Sequence, residues 1–164
     1  MSASTLTDRT RFDLGAVTDR LAAILSRHSI DILRVALGLV FLGFGVLKFV
    51  PDLSPAEPLV VRTLDTLSFG LVSATAAMVL TATMETFIGL ALVSGKFLRT
   101  GLVVLATAFV GIMSPVVLFA GDMFGDGPTL EAQYVLKDVV LIAAGLVVGA
   151  KALGARLVAP RPTD

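Results

Sequence analysis

Long apolar runs alternate with short polar stretches along the chain. The runs cover about residues 30–50, 72–93, 101–120 and 133–150. About 20 mainly apolar residues are enough for a helix to cross the hydrocarbon core of a bilayer. The pattern therefore predicts an all-α membrane protein, with four transmembrane helices in an up-down-up-down bundle.

Two shorter amphipathic stretches are predicted to lie at the membrane surface. In residues 12–28 apolar residues recur at helical spacing among charged ones. This indicates an N-terminal interfacial helix, although a helix packed under the bundle agrees with the same pattern. In residues 54–69, Ser54 and Glu57 have the spacing of a capping box. A short outer interfacial helix is therefore predicted between the first two spans.

Charges in the short loops predict the orientation of the bundle. Basic residues precede the first span, join the second to the third and follow the fourth, whereas the other two connections are mainly acidic. The positive-inside rule then places both termini in the cytoplasm. Residues 1–11 lack the apolar core of a signal peptide, so no cleavable leader is expected. The predicted domains are a cytoplasmic tail with the amphipathic helix at 1–29, a transmembrane domain at 30–150 and a cytoplasmic tail at 151–164.

Composition supports the membrane assignment and excludes several kinds of chemistry. The 164 residues are 55% hydrophobic and carry no formal net charge, so no basic surface for nucleic acid is expected. There is no cysteine, and His28 is the only histidine. Thiolate metal sites and bis-histidine haem ligation within one chain are therefore excluded, and we expect no metal site and no covalently bound cofactor. Any redox role would need a bound quinone or a partner subunit that carries the cofactor.

Charged residues inside the predicted spans are costly and normally have partners. They are Arg34, Lys48, Glu85, Lys137 and Asp138. With a rise of about 1.5 Å per residue, Arg34 and Glu85 fall at similar depths in the inner half, so we predict that they form an ion pair. Asp138 is predicted to pair with Lys48 in the outer half, which leaves Lys137 without a counter-ion.

The outer group of charges is a candidate ligand-binding site. Lys48, Lys137 and Tyr134 could donate hydrogen bonds to the carbonyl oxygens of a quinone, and Gly45 could leave room for its ring. The alternative is that the charge pairs only fix the register of the helices. The sequence identifies no catalytic residue.

Motifs in the spans resemble a known family. The first span ends in GFGVLKF, the second contains METFIGLALVSG, the third contains MSPVVLF and the fourth opens with LKDVVLIAAG. Together with Arg34 at the start of the first span, they resemble the DoxX-like superfamily, and most closely its YkgB-type branch, which is linked to resistance to reactive chlorine. The resemblance covers about residues 30–150. It implies a small four-helix protein of the bacterial cytoplasmic membrane.

The resemblance and the residues leave three functions open. Some relatives are subunits of thiosulfate:quinone oxidoreductase or belong to membrane-associated oxidoreductase complexes, which implies an accessory or quinone-linked redox role in oxidative or reactive-chlorine stress defence. Such a role could involve a homo-oligomer or a partner redox subunit. A small proton-coupled transporter would instead need Glu85 free to titrate. A noncatalytic membrane subunit or assembly factor would bind its partner through residues 54–69 and the acidic loop 121–133.

Overall fold

The computed structural model describes residues 14–158, and the regular elements in that range are all α-helices. The parts of the predicted tails at 1–13 and 159–164 lie outside the described residues. Three of the helices are long and apolar enough to cross a membrane, which agrees with the predicted all-helical membrane class. The helices are α1 (Leu14–Leu47), α2 (Glu57–Leu67), α3 (Ala74–Ser94), α4 (Leu98–Leu118), α5 (Ala120–Phe124) and α6 (Leu130–Ala152), of which α1, α3 and α4 are the three candidates.

The first helix, α1, continues without a break through the region where two helices were expected. It has 34 residues, so the amphipathic stretch before residue 29 is an extension of the first span and not a separate interfacial helix. No proline occurs between Leu14 and Leu47, so the backbone hydrogen bonds continue across the expected boundary. At about 1.5 Å per residue α1 is roughly 50 Å long, which exceeds a hydrocarbon core of about 30 Å. Part of it must therefore project beyond a bilayer that it crosses.

The register of the bundle is set by close packing of α1 against α3. A Cβ atom added at Gly89 would lie 2.5 Å from the backbone nitrogen of Leu42, and one added at Gly45 would lie 2.7 Å from that of Thr86. A Cβ added at Gly38 would also come within 2.9 Å of α3. Glycine therefore allows the two backbones to approach closely, as small residues commonly do between membrane helices.

Buried side chains join the long helices, while the outer face remains apolar. The main cluster contains Leu37, Phe41, Ile88, Leu92, Leu105, Ala108 and Val148, and therefore connects α1, α3, α4 and α6. On the other side of α4, Val103, Val110 and Val117 are 67%, 72% and 81% exposed. Their spacing of seven residues places them on one stripe of the helix. An exposed apolar stripe of this kind is typical of a lipid-facing surface.

The short helix α2 begins later than predicted, and its start is not a capping box. The helix begins at Glu57, and no side chain caps it. The Glu57 carboxylate accepts a hydrogen bond from the backbone N–H of Asp52 at 3.1 Å, while the Ser54 hydroxyl is buried without a partner among the described residues. Pro58 lies in the first turn, where its missing N–H is tolerated, so the helix starts beside Pro58 and not beside Pro55.

Candidate functional site

A cavity of about 300 Å³ lies between α1, α2, α3, α4 and α6. Its walls are mainly apolar, with side chains such as Phe41, Met84 and Ile112. Ligand sites in proteins are typically apolar clefts of about 300–1,000 Å³ with a few polar groups that orient the ligand. This cavity is therefore large enough for a compact ligand. The charged and phenolic side chains that line it are Lys48, Glu85, Tyr134, Lys137 and Asp138.

An ion pair between α1 and α3 lies in the wall of this cavity. Nζ of Lys48 is 2.6 Å from Oε2 of Glu85, and only 4% and 8% of the two side chains are exposed. The predicted partners are therefore wrong for both residues, because Glu85 does not pair with Arg34 and Lys48 does not pair with Asp138. Removing either partner of such a buried pair would leave the other charge without compensation.

Arg34 is separated from the cavity along α1. Its guanidinium donates hydrogen bonds to the backbone carbonyls of Leu92 and Val93, near the end of α3, and the second of these bonds is 3.3 Å long. Carbonyls at a helix C-terminus have no partner within the helix, and a cation there is favourable. Arg34 therefore bonds to carbonyls near the end of α3 and not to the Glu85 carboxylate.

The register of α1 and α3 explains why the depth count failed. The count assumed that each helix enters the hydrocarbon core where its apolar run begins. The close contact of Gly45 with Thr86 instead places Glu85 beside Gly45, one turn before Lys48. Residues 34 and 45 are separated by roughly 16 Å along a helix with a rise of about 1.5 Å per residue. That separation is too great for Arg34 to reach Glu85.

A second charge group was not identified from the sequence. Nζ of Lys151 lies 2.8 Å from Oδ2 of Asp31, and Nε of Arg34 lies 3.9 Å from Oδ1 of the same residue. The group connects α1 to the end of α6. The spacing of Asp31 and Arg34 could have indicated their contact, because residues three apart are neighbours on a helix. Nothing local in the sequence indicates that Lys151 joins them.

Aromatic rings bring Lys137 into the site. Nζ of Lys137 lies 3.3 Å from the ring centroid of Tyr134 and 5.1 Å from that of Phe44. The two rings make an edge-to-face contact with centroids 6.0 Å apart, and Nζ of Lys48 lies 5.7 Å from the Phe44 centroid. Lys137 is thus stabilised by aromatic faces, as cations commonly are. Sequence reasoning missed Phe44, although its spacing of four residues from Lys48 places both on one face of α1.

Two polar groups in the cavity wall have no partner among the described residues. The Tyr134 hydroxyl is buried and makes no hydrogen bond there. The Asp138 carboxylate, one turn further along α6, lines the same cavity, and no ion pair or hydrogen bond joins it to another described side chain. Buried polar groups are normally satisfied, so the Tyr134 hydroxyl requires an explanation, whereas Asp138 is only half-buried. The cavity therefore presents one phenol and one carboxylate that are available to a ligand.

Of the sequence candidates for ligand contact, the structure brings Lys48, Lys137 and Tyr134 together around the cavity and places Gly45 elsewhere. Gly45 packs on the backbone of α3 at Thr86 and Glu85. It therefore makes room for a neighbouring helix and not for a ring, which corrects the expected role.

The helix α2 forms one wall of the cavity and is attached to α5. Leu59 and Thr63 of α2 line the cavity. On the other face of α2, Nη2 of Arg62 lies 2.5 Å from Oδ2 of Asp122, and the Arg62 guanidinium lies 3.9 Å from the ring centroid of Phe119. The predicted outer helix thus packs on α3 and α4 beside the cavity, and an exposed ion pair links it to α5.

Comparison with known proteins gives one family match. A family model described as DoxX matches residues 29–121, which is more than half of the chain. The matched region runs from within α1 to α5 and includes Lys48 and Glu85, whereas the part of the site on α6 lies beyond it. No curated protein and no solved structure matches the chain.

Proposed function

This chain belongs to the DoxX family, and we propose that it binds the ring of a quinone in the cavity beside Tyr134. A redox partner protein would supply the electrons. The proposal places it in the bacterial cytoplasmic membrane, in the YkgB-type branch, with a role in oxidative or reactive-chlorine stress defence. The observation that carries the proposal is the buried hydroxyl of Tyr134, which has no partner in the described part of the chain and belongs to a residue that lines an apolar cavity.

The proposed topology has four spans, with α6 as the fourth. This helix has 23 residues, which at about 1.5 Å per residue is roughly 34 Å and so enough to cross a bilayer. It packs against both α1 and α4 in the bundle. With four spans and basic loops on one side, both termini lie in the cytoplasm. The cavity then lies toward the outer face, where α1 ends and α6 begins.

The residues around the cavity suit the ring of a quinone. A quinone presents flat apolar faces and two carbonyl oxygens, so its site needs apolar walls and hydrogen-bond donors. Tyr134 supplies a hydroxyl donor, and Lys137 supplies an ammonium group that lies over the Tyr134 and Phe44 rings. Phe44 and Tyr134 also provide aromatic surfaces against which a ring can pack. The chain's own residues would bind and orient the ring.

A partner protein must supply the electrons in this proposal. The chain has no cysteine and one histidine, and therefore lacks the residues that hold an iron–sulfur cluster or a bis-histidine haem. A bound quinone would supply the two-electron redox chemistry. The helix α2 and the acidic residues around α5 form the outer surface next to the cavity, which suits contact with a partner.

The alternative of a proton-coupled transporter receives less support from the geometry. A transporter that uses Glu85 would need this carboxyl to be free to gain and lose a proton. Oε2 of Glu85 is instead held 2.6 Å from Nζ of Lys48, with both side chains buried. This contact favours a structural role for Glu85 in the cavity wall.

The test is to purify the protein in mild detergent without added ligand and to extract it for mass spectrometry of quinones. We expect about one quinone per chain, and a large loss of it in Tyr134→Phe, which removes only the hydroxyl. Thr83→Val is the matched control, because the Thr83 hydroxyl already donates to the Val79 carbonyl at 2.7 Å and does not line the cavity. Folded protein that contains no quinone and binds none when short-chain quinones are added would overturn the proposal.

A further inference from the structure

The polar end of the cavity combines a hydroxyl with a carboxylate. Tyr134 and Asp138 lie four residues apart on α6, so their side chains project from the same face on successive turns. Both line the cavity, and within residues 14–158 the Tyr134 hydroxyl has no hydrogen-bond partner and Asp138 forms no ion pair. A ligand that satisfies both groups needs one atom that accepts a hydrogen bond and one that donates.

From this juxtaposition we infer that the site prefers the reduced, hydroxyl-bearing form of its ligand, a hydroquinone, over the oxidised quinone. The inference rests on the proposed function, because it assumes that a quinone-type ring enters the cavity. The inference specifies which redox state of the ligand the site prefers, and it assigns this preference to Asp138.

The oxidised and reduced forms of the ligand differ in the hydrogen bonds that they can make with Asp138. An ionised carboxylate can only accept hydrogen bonds, and a quinone carbonyl can also only accept. A quinone oxygen beside Asp138 would therefore make no hydrogen bond and would face another negative oxygen. A hydroquinone O–H can donate to the carboxylate, and hydrogen bonds to charged groups are roughly twice as strong as neutral ones.

The other charges in the wall do not remove this preference. The Lys48 ammonium is held by Glu85 at 2.6 Å, and the Lys137 ammonium lies over the Tyr134 ring. Neither ammonium forms an ion pair with Asp138 among the described residues, so the lysines do not satisfy its oxygens by direct contact. The second carboxylate of the cavity, Glu85, is already bonded to Lys48. Asp138 is therefore the cavity carboxylate that has no ion-pair partner among the described residues.

At the other end, the Tyr134 hydroxyl can serve either form. A phenol donates one hydrogen bond and also accepts. It can donate to a quinone carbonyl or to the oxygen of a hydroquinone. Loss of this hydroxyl should therefore weaken both forms, whereas a change at Asp138 should alter their ratio.

The experiment compares the two redox forms on the whole protein in detergent. The probes are a short-chain ubiquinone and its chemically reduced hydroquinone, each titrated anaerobically by calorimetry. We expect the hydroquinone to bind at least about tenfold more tightly, which for a two-electron couple corresponds to about 30 mV. In Asp138→Asn the ratio should fall to about one or reverse, because the amide can donate to a quinone carbonyl.

Matched variants separate the two claims. Glu131→Gln makes the same carboxyl-to-amide change on α6 outside the cavity, and it should keep the wild-type ratio. Tyr134→Phe should weaken both probes by similar factors. Equal affinities in the wild-type protein, or tighter binding of the quinone, would overturn the preference while the proposed function stands. If neither probe binds the wild-type protein, the proposed function itself fails.

Discussion

The Lys48–Glu85 contact predicts strong energetic coupling between α1 and α3. The pair is buried, with Nζ and Oε2 2.6 Å apart and almost no exposed side-chain surface. Removing one partner of a buried pair typically costs about 3–5 kcal/mol, because the remaining charge loses its compensation. Lys48→Met and Glu85→Leu should each lower the free energy of unfolding by about that amount. The double variant should lose much less, because apolar side chains of similar volume often replace a buried ion pair at little cost.

The free energies can be obtained from reversible unfolding in mixed micelles of increasing SDS fraction, followed by circular dichroism. The difference between the double variant and the sum of the single variants is the coupling energy, which we expect to be about 3 kcal/mol or more. The control cycle pairs Arg34→Met with Glu85→Leu. These sites are too far apart to touch, so their effects should add to within about 0.5 kcal/mol. Additive effects at Lys48 and Glu85, or strong coupling in the control cycle, would refute the assigned register.

Three further substitutions test the packing around the site, and each can be measured by the same unfolding assay. Gly45→Ala should destabilise by about 1–3 kcal/mol because its Cβ would collide with α3, whereas Gly43→Ala, with nothing within 4 Å, should change stability by less than about 1 kcal/mol. Arg34→Gln should cost about 1.5–3 kcal/mol, because charged hydrogen bonds to the end of α3 are lost. Arg62→Gln should cost about 1 kcal/mol or less, because its ion pair is largely exposed, and amide hydrogen exchange should increase mainly in α2. A larger loss for Gly43→Ala than for Gly45→Ala, or no loss for Arg34→Gln, would contradict these contacts.

The helices were largely predictable because their signals are local. The second and third spans were predicted at 72–93 and 101–120, and the helices in these regions are Ala74–Ser94 and Leu98–Leu118. Each apolar segment by itself shows whether it is long enough to cross a bilayer. The boundary between an interfacial helix and the first span has no such local signal, because no proline interrupts α1 near residue 29.

The ion pairs were not predictable, because they depend on how two helices slide past each other. Hydropathy locates each helix in the membrane only to within a few turns, and one turn moves a side chain by about 5.4 Å. The contacts of Gly45 and Gly89 decide the register, and their significance becomes visible only when the two helices are placed together. Lys48, Lys137 and Tyr134 were grouped from the sequence because the predicted topology placed all three near the outer ends of their spans, where a small error in depth leaves them close.

The central claim, that a quinone ring binds beside Tyr134, can be tested through the fluorescence of that residue. Tyr134 is the only tyrosine and the chain has no tryptophan, so ultraviolet fluorescence reports on the cavity wall alone. Titration of the detergent-solubilised protein with a short-chain quinone, corrected for absorption by the quinone, should give saturable quenching that ends at one equivalent per chain. Quenching that rises linearly without saturation, with the same slope as for a free tyrosine derivative in the same micelles, would contradict the account.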